Sequence, residues 1–154
     1  MNRADGTPIN AVFGFTNMLV KLIEDYSDDK MIVIFDAARE NFRNEIYPEY
    51  KANRPPPPPS LPEQYKLCVE GTEALGLKSF SLSHLEADDI IGTLCTQWQN
   101  QTSGDCVIIG TDKDMMQLIN KKVSMWDSQD KESGPHQVIE RLGVEPKQVI
   151  ALLG

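Results

Sequence analysis

Two groups of acidic residues carry the chemistry that this sequence announces. The first stands in His84-Leu85-Glu86-Ala87-Asp88-Asp89-Ile90-Ile91-Gly92, the second in Val107-Ile108-Ile109-Gly110-Thr111-Asp112-Lys113-Asp114. Ala87, Ile90, Ile91, Leu94, Cys95 and Trp98 recur at helical spacing. That stripe predicts a helix from Glu86 to about Gln99, with Glu86, Asp88 and Asp89 in its first turn on the arc facing away from the core. In the second group a short apolar strand ends at Gly110, and Asp112 and Asp114 follow it. Acids favour helix N-termini because the backbone is positive there, so any one of the three alone reads as a cap. Three together, with a second pair downstream, read as ligands for hard divalent cations, which prefer oxygen donors.

The elements that must position these acids alternate between strand and helix. Val12, Phe15, Leu19, Leu22 and Ile23 predict a helix from about Pro8 to Tyr26. Met31 to Phe35 is a continuous apolar run, as expected for a strand covered on both faces, and it ends at Asp36. Helices are further expected at 61–75, 113–118, 138–142 and 146–152, and strands at 79–82, 106–109 and 123–126. This order gives an α/β fold with a mainly parallel central sheet flanked by helices. In such a sheet, ligands bind in the crevice outside the C-terminal strand ends. Asp36, Glu86, Asp88, Asp89, Asp112 and Asp114 are therefore expected in one crevice, where their mutual repulsion calls for cations, two of them. Other acid-based α/β arrangements fit less well. Asp36 is followed by Ala37-Ala38 rather than by the second acid of an Asp-x-Asp phosphatase, and no Gly-rich Lys-Ser/Thr phosphate loop occurs. His84 and His136 are the chain's histidines, and neither has a serine context for nucleophilic catalysis.

The 154 residues suffice for one domain with a core, and 40% hydrophobic content excludes a disordered chain. No apolar run reaches the roughly 20 residues of a membrane span, and the first residues lack a secretion signal, so a cytoplasmic location is expected. Cys68, Cys95 and Cys106 are odd in number and read as small buried residues of a reducing compartment. Net charge is −8, yet the stretch 37–54 holds four basic residues (Arg39, Arg43, Lys51, Arg54) against three acids. A separate basic patch for phosphate beside an acidic metal site produces this split. Residues 39–60 are polar, show only a weak helical pattern and end in Pro55 to Pro59. They are expected to be the least ordered internal segment, with the prolines a stiff spacer or, alternatively, a polyproline ligand.

Together, Val33-Ile34-Phe35-Asp36-Ala37, Phe42-Arg43-Asn44-Glu45, Tyr50-Lys51-Ala52-Asn53-Arg54-Pro55, Glu86-Ala87-Asp88-Asp89-Ile90-Ile91-Gly92 and Gly110-Thr111-Asp112-Lys113-Asp114 resemble the 5′–3′ exonuclease domain of bacterial DNA polymerase I. That domain is of the flap-endonuclease group, with a PIN-like fold. The resemblance covers nearly the whole chain, 1–154, as a single partial domain. It lacks the family's first strand with its early Asp, and the C-terminal Asp-x-x-Asp segment and DNA-binding helical element. The resemblance implies metal-assisted phosphodiester hydrolysis with Mg²⁺ or Mn²⁺, two ions in the complete domain, held by the six acids directly or through water. It implies that Arg43, Lys51 and Arg54 engage the phosphate backbone near the scissile bond, with Arg39, Tyr50 and Lys113 also on DNA, and that 39–60 is a mobile arch. Tyr47 and Tyr50 either stack on bases or pack along the arch. The implied partners are DNA with a 5′ flap or 5′ end and a polymerase domain in cis, and surface uncovered by the truncation predicts self-association. The rival expectation is a DNA-binding fragment whose incomplete metal site is idle; a PIN-type ribonuclease fits the long arch segment poorly.

Overall fold

A computed structural model describes residues 2–3, 6–37, 41–127 and 132–153. The chain divides into two compact units, residues 1–87 and 88–154. Each has its own small parallel-stranded sheet, so the α/β class expected from the alternation is what the chain adopts.

In the first unit, helix α1 (Asn10–Asp25) packs on α3 (Leu61–Ala74). The helical stripe read from Val12 to Ile23 centres on Leu19, which is buried. No side chain at the N-cap of α1 satisfies its first amides. Gln64 does so from α3: its Oε1 accepts from the Ala11 N–H at 2.9 Å, which is why an amide can sit buried between two helices. Helix α3 closes at Gly76, whose φ of +78° is the left-handed turn glycine enters without a Cβ penalty. Strand β1 (Ile32–Ile34) pairs in parallel with β2 (Lys78–Phe80), Val33 opposite Ser79. Phe35, just past β1, is sealed by the rings of Phe15 and Tyr65 at 5.8 and 5.4 Å between centroids. Coverage of β1 is partial: Ile32 is 46% exposed, while Val33 and Ile34 are half-buried, and among the described residues β1 pairs with β2 alone. Helix α2 (Phe42–Ile46) is short and was not legible as a periodic pattern.

In the second unit, α4 (Ala87–Gln101) leads into β3 (Cys106–Ile109), then a 3-10 helix at Lys113–Leu118 and β4 (Val123–Trp126). Strands β3 and β4 are parallel, Ile108 opposite Met125, and β5 (Glu132–Ser133) adds an antiparallel edge beside β4. Helix α5 (Pro135–Leu142) begins with proline in its first turn, three residues earlier than its apolar pattern indicates, and ends at Gly143 with φ +75°. A 3-10 turn at Pro146–Gln148 and α6 (Val149–Leu153) complete the unit. Cys95, Ile108, Met115, Met116, Ile119, Val123, Met125, Val138 and Val149 form its core. Ile90 is buried as its place on the stripe requires, while Trp98 lies at the rim, its Nε1 donating to the Asp105 carbonyl at 3.2 Å. No described helix is long and apolar enough to cross a membrane.

Candidate functional site

Glu86 is the hub of the first unit's polar chemistry. It lies immediately before α4, not within its first turn, and its side chain is 13% exposed, so it does not face away into solvent as the helical reading expected. Its Oε1 accepts from Lys51 Nζ at 2.5 Å and from Asn41 Nδ2 at 2.8 Å. Its Oε2 accepts from the Tyr50 hydroxyl at 3.3 Å and has Arg43 Nη1 at 3.8 Å. The Arg43 guanidinium lies over the Phe42 ring, and both Arg43 and Lys51 stand over the Tyr50 ring at 5.9 and 5.0 Å. One carboxylate thus organises two cations, an amide and a phenol.

The local sequence explains how. Asn41 is 3% exposed and caps α2: its Oδ1 accepts from Arg43 N at 2.8 Å, while Asn44 Oδ1 accepts from Asn41 N at 3.1 Å. Asn44 reaches on through Nδ2 to the Tyr50 carbonyl at 3.1 Å. The Phe42 amide donates to the His84 carbonyl, and Asn41 bridges to His84 in parallel. Lys51 and His84 both have left-handed backbones, φ +57° and +67°, which cost a non-glycine residue about 1–2 kcal/mol each. Such strain persists where the surrounding structure over-determines it, and it clusters at functional positions.

Burial works to lower the Lys51 ammonium, but its hydrogen bonds to Glu86 and Tyr50 and their charges outweigh that, leaving it above the ordinary 10.5. A lysine raised on folding contributes stability that is complete below 10.5 and is lost as pH rises through the folded value. Urea melts at pH 9 and above pH 11 should therefore show the parent losing more stability than Lys51→Gln. Tyr65, raised by burial and then by Asp36, titrates nearby in both proteins, so the difference between them isolates Lys51. Equal losses would detach Lys51 from Glu86.

The other assigned residues fall as follows. Asp36 is exposed; its Oδ1 accepts from the Ala87 N–H at 2.7 Å and its carbonyl accepts from the Tyr65 hydroxyl. Asp88 and Asp89 occupy the first turn of α4, half-buried. Asp112 and Asp114 are exposed at the start of the 3-10 helix, Asp112 Oδ1 capping it by accepting from Asp114 N at 3.0 Å. Lys113 is exposed beside them, and Arg54 is exposed at the end of the 47–54 turn. Arg39 lies outside the described residues. Tyr47 and Tyr50 separate: Tyr50 packs within the Glu86 cluster, whereas Tyr47 is 56% exposed. Asn41 was missed by the sequence reading; its signal was the Asn41-x-x-Asn44 spacing of a capping box.

The carboxylates suit a hard cation by chemistry, since all are oxygen donors. Among the described residues, however, no three Asp, Glu, His or Cys side chains stand together as a ligand set. Glu86 in particular is committed to bases. Arg43 and Lys51, expected to be separate from the acids, are bound to one of them.

The sequence matches the 5′–3′ exonuclease, N-terminal resolvase-like domain over residues 1–143. The chain belongs to this 5′–3′ exonuclease family. Among its relatives, the DNA polymerase I of Rhizobium leguminosarum is 42% identical over 158 residues, covering 97% of this chain and 16% of that protein. The 5′–3′ exonuclease of Buchnera aphidicola subsp. Schizaphis graminum is 34% identical over 154 residues, 99% of this chain and 53% of that protein. The chain thus spans about half of a curated 5′–3′ exonuclease and about a sixth of a polymerase. The bacteriophage T5 5′-exonuclease, solved with bound zinc, shares the fold at TM-score 0.70 and 23% identity, over 89% of this chain and 55% of that one. The 5′–3′ exonuclease fold therefore accounts for the order of elements described above.

Proposed function

We propose that this chain is the hydrolytic part of a 5′–3′ exonuclease and 5′-flap endonuclease acting on DNA, joined in cis to a polymerase and serving DNA repair and primer removal. Family membership over residues 1–143 carries the reading. The cluster of Arg43, Tyr50 and Lys51 around Glu86 supports it, because it presets two cations beside an acid, Lys51 from a left-handed backbone and Arg43 from helix α2. In this reading Asp36, Glu86, Asp88, Asp89, Asp112 and Asp114 are ligands for Mg²⁺ or Mn²⁺, directly or through water. The chemistry supplied by bound cations is activation of the attacking water and neutralisation of charge on the departing oxygen. The chain's own cations hold the substrate: Arg43 and Lys51 take phosphate oxygens, Arg54, Arg39 and Lys113 track the backbone, and Tyr47 offers an exposed ring to a base. The test is a labelled 5′ flap in excess Mg²⁺, with binding and cleavage read on one sample. Binding with no cleavage supports the second reading, a DNA-holding fragment. Neither binding nor cleavage overturns both.

Lys51 and a cation compete for Glu86 Oε1, since Nζ already lies 2.5 Å from it. Lys51→Met should therefore raise Mn²⁺ affinity severalfold, whereas Arg54→Met, with the same charge change, leaves it within twofold; titration of both variants decides. Each variant should also flatten the dependence of log DNA affinity on log salt, by about 0.9 for each duplex phosphate that the side chain no longer neutralises. A salt slope unchanged in both would remove them from the backbone.

A further inference from the structure

The second unit holds a pair of thiols that the proposed hydrolysis does not use. Cys95 Sγ and Cys106 Sγ lie 3.2 Å apart, hydrogen-bonded, although the residues are 11 apart in sequence and showed no motif spacing. Cys68 and Cys95 are buried as expected and Cys106 is half-buried, but spacing gave no sign that Cys95 and Cys106 meet. We infer that Cys95 and Cys106 form a reversible oxidation site, a dithiol that peroxide converts to an intramolecular disulfide.

The geometry is held in place. A disulfide needs its sulfurs at about 2.05 Å, so closure asks for an approach of little more than 1 Å. The connection between α4 and β3 is itself tied down: Thr102 Oγ1 donates to the Trp98 carbonyl at 2.9 Å, Gly104 N to Thr102 Oγ1 at 3.2 Å, and Trp98 Nε1 to the Asp105 carbonyl. The Trp98 indole also lies within 3.2 Å of where a Cβ on Gly104 would sit, so the turn stays close against the helix. The two sulfurs differ in access. Cys95 is 4% exposed inside the core, whereas Cys106, first residue of β3, is half-buried. They differ in acidity in the same sense. The hydrogen bond from Cys95 holds Cys106 down at about 7 against the opposing effect of burial, while the same bond and burial push Cys95 up. Cys106 is therefore the attacking thiolate and Cys95 the resolving thiol.

The step balances without a cofactor. Cys106 thiolate attacks one oxygen of hydrogen peroxide; an S–O bond forms, the O–O bond breaks, and the departing hydroxide takes a proton to become water. Cys95 sulfur then attacks Cys106 sulfur; the S–S bond forms, the S–OH bond breaks, and a second water leaves with the Cys95 proton. Two thiols and one peroxide give one disulfide and two waters, with two electrons passing from sulfur to oxygen. The bond joins α4, which carries Asp88 and Asp89, to β3, which leads to Asp112 and Asp114. Oxidation thus staples together the two elements that present the second unit's acids.

The full chain, folded, is treated with a small excess of hydrogen peroxide at pH 7.5 and read by intact mass and peptide mapping. The expected result is a loss of 2 Da, a single Cys95–Cys106 linked peptide, a free Cys68, full reversal by dithiothreitol and a raised melting temperature. Cys95→Ser should instead gain 32 Da at Cys106, because the sulfenic acid has no resolving partner and proceeds to sulfinic acid. Should that variant fail to fold, the parent's peptide map decides by itself. A linkage through Cys68, irreversible oxygen addition in the parent, or disulfide formation no faster than in the urea-unfolded chain would overturn the assignment.

Discussion

Under the proposed hydrolytic reading, glutamine in place of Glu86 should lower Mg²⁺-dependent cleavage of a 5′ flap by about 10²–10³-fold, the loss that follows deletion of one preset electrostatic group. The side chain keeps its size and can still accept one hydrogen bond, so the fold of residues 41–54 survives. What disappears is the negative charge between Lys51 and Arg43. Oε1 can no longer serve both Asn41 and Lys51 as an anion, and Nζ loses the hydrogen bond that raises it above 10.5. The Lys51 ammonium should therefore titrate lower in Glu86→Gln, read by NMR of its side chain, together with the fall in rate. Glu86→Ala should add faster amide exchange at 41–54, because Asn41 then has no acceptor for its buried Nδ2. A variant with parental rate and an unmoved Lys51 titration would strip Glu86 of its role.

The sequence made the frame of elements legible because most of them are long or strongly apolar. The stripe from Ala87 to Cys95 and the run Cys106 to Ile109 were visible to within two residues, and the helical residues 113–118 likewise. Helix α2 escaped because five residues cannot show a period of 3.6; its cap, Asn41 with Asn44, was the readable signal. β5 escaped because two residues on a sheet edge need no apolar pattern. The acids were legible as a set, but their partners were not. Nothing in the spacing of Lys51 and Glu86 places Nζ on a carboxylate 35 residues away, nor does spacing bring Cys95 to Cys106. Side-chain pairing between distant elements depends on backbone turns such as the left-handed Lys51, which the Tyr-Lys-x-x-Arg-Pro stretch does not betray. Over 42–54 the segment expected to be least ordered forms a short helix and hydrogen-bonded turns, with Arg43, Tyr50 and Lys51 gathered on Glu86 and most of 45–49 and 52–54 exposed.

Met116→Ala should cost the second unit about 2–5 kcal/mol, the range for truncating a buried large aliphatic side chain. Met116 is 1% exposed and sits among Cys95, Ile108, Val123 and Val138, so a smaller side chain leaves a void that neighbours on β3, β4 and α5 fill only in part. The site consequence follows from the chain order. Met115 and Met116 bury one side of the 3-10 helix whose opening residues, Asp112 and Asp114, are exposed. Met116→Leu, which keeps the volume, should cost less than about 1.5 kcal/mol. Asp112→Asn offers the contrast. An asparagine oxygen can still accept from Asp114 N, so the cap persists and stability should change by no more than about 0.5 kcal/mol, while Mn²⁺ affinity falls. Urea melts and Mn²⁺ titrations on the three variants separate fold from ligand. If Met116→Ala melts with the parent, the 3-10 helix is not anchored by this core; if Asp112→Asn binds Mn²⁺ as the parent does, Asp112 is a helix cap alone.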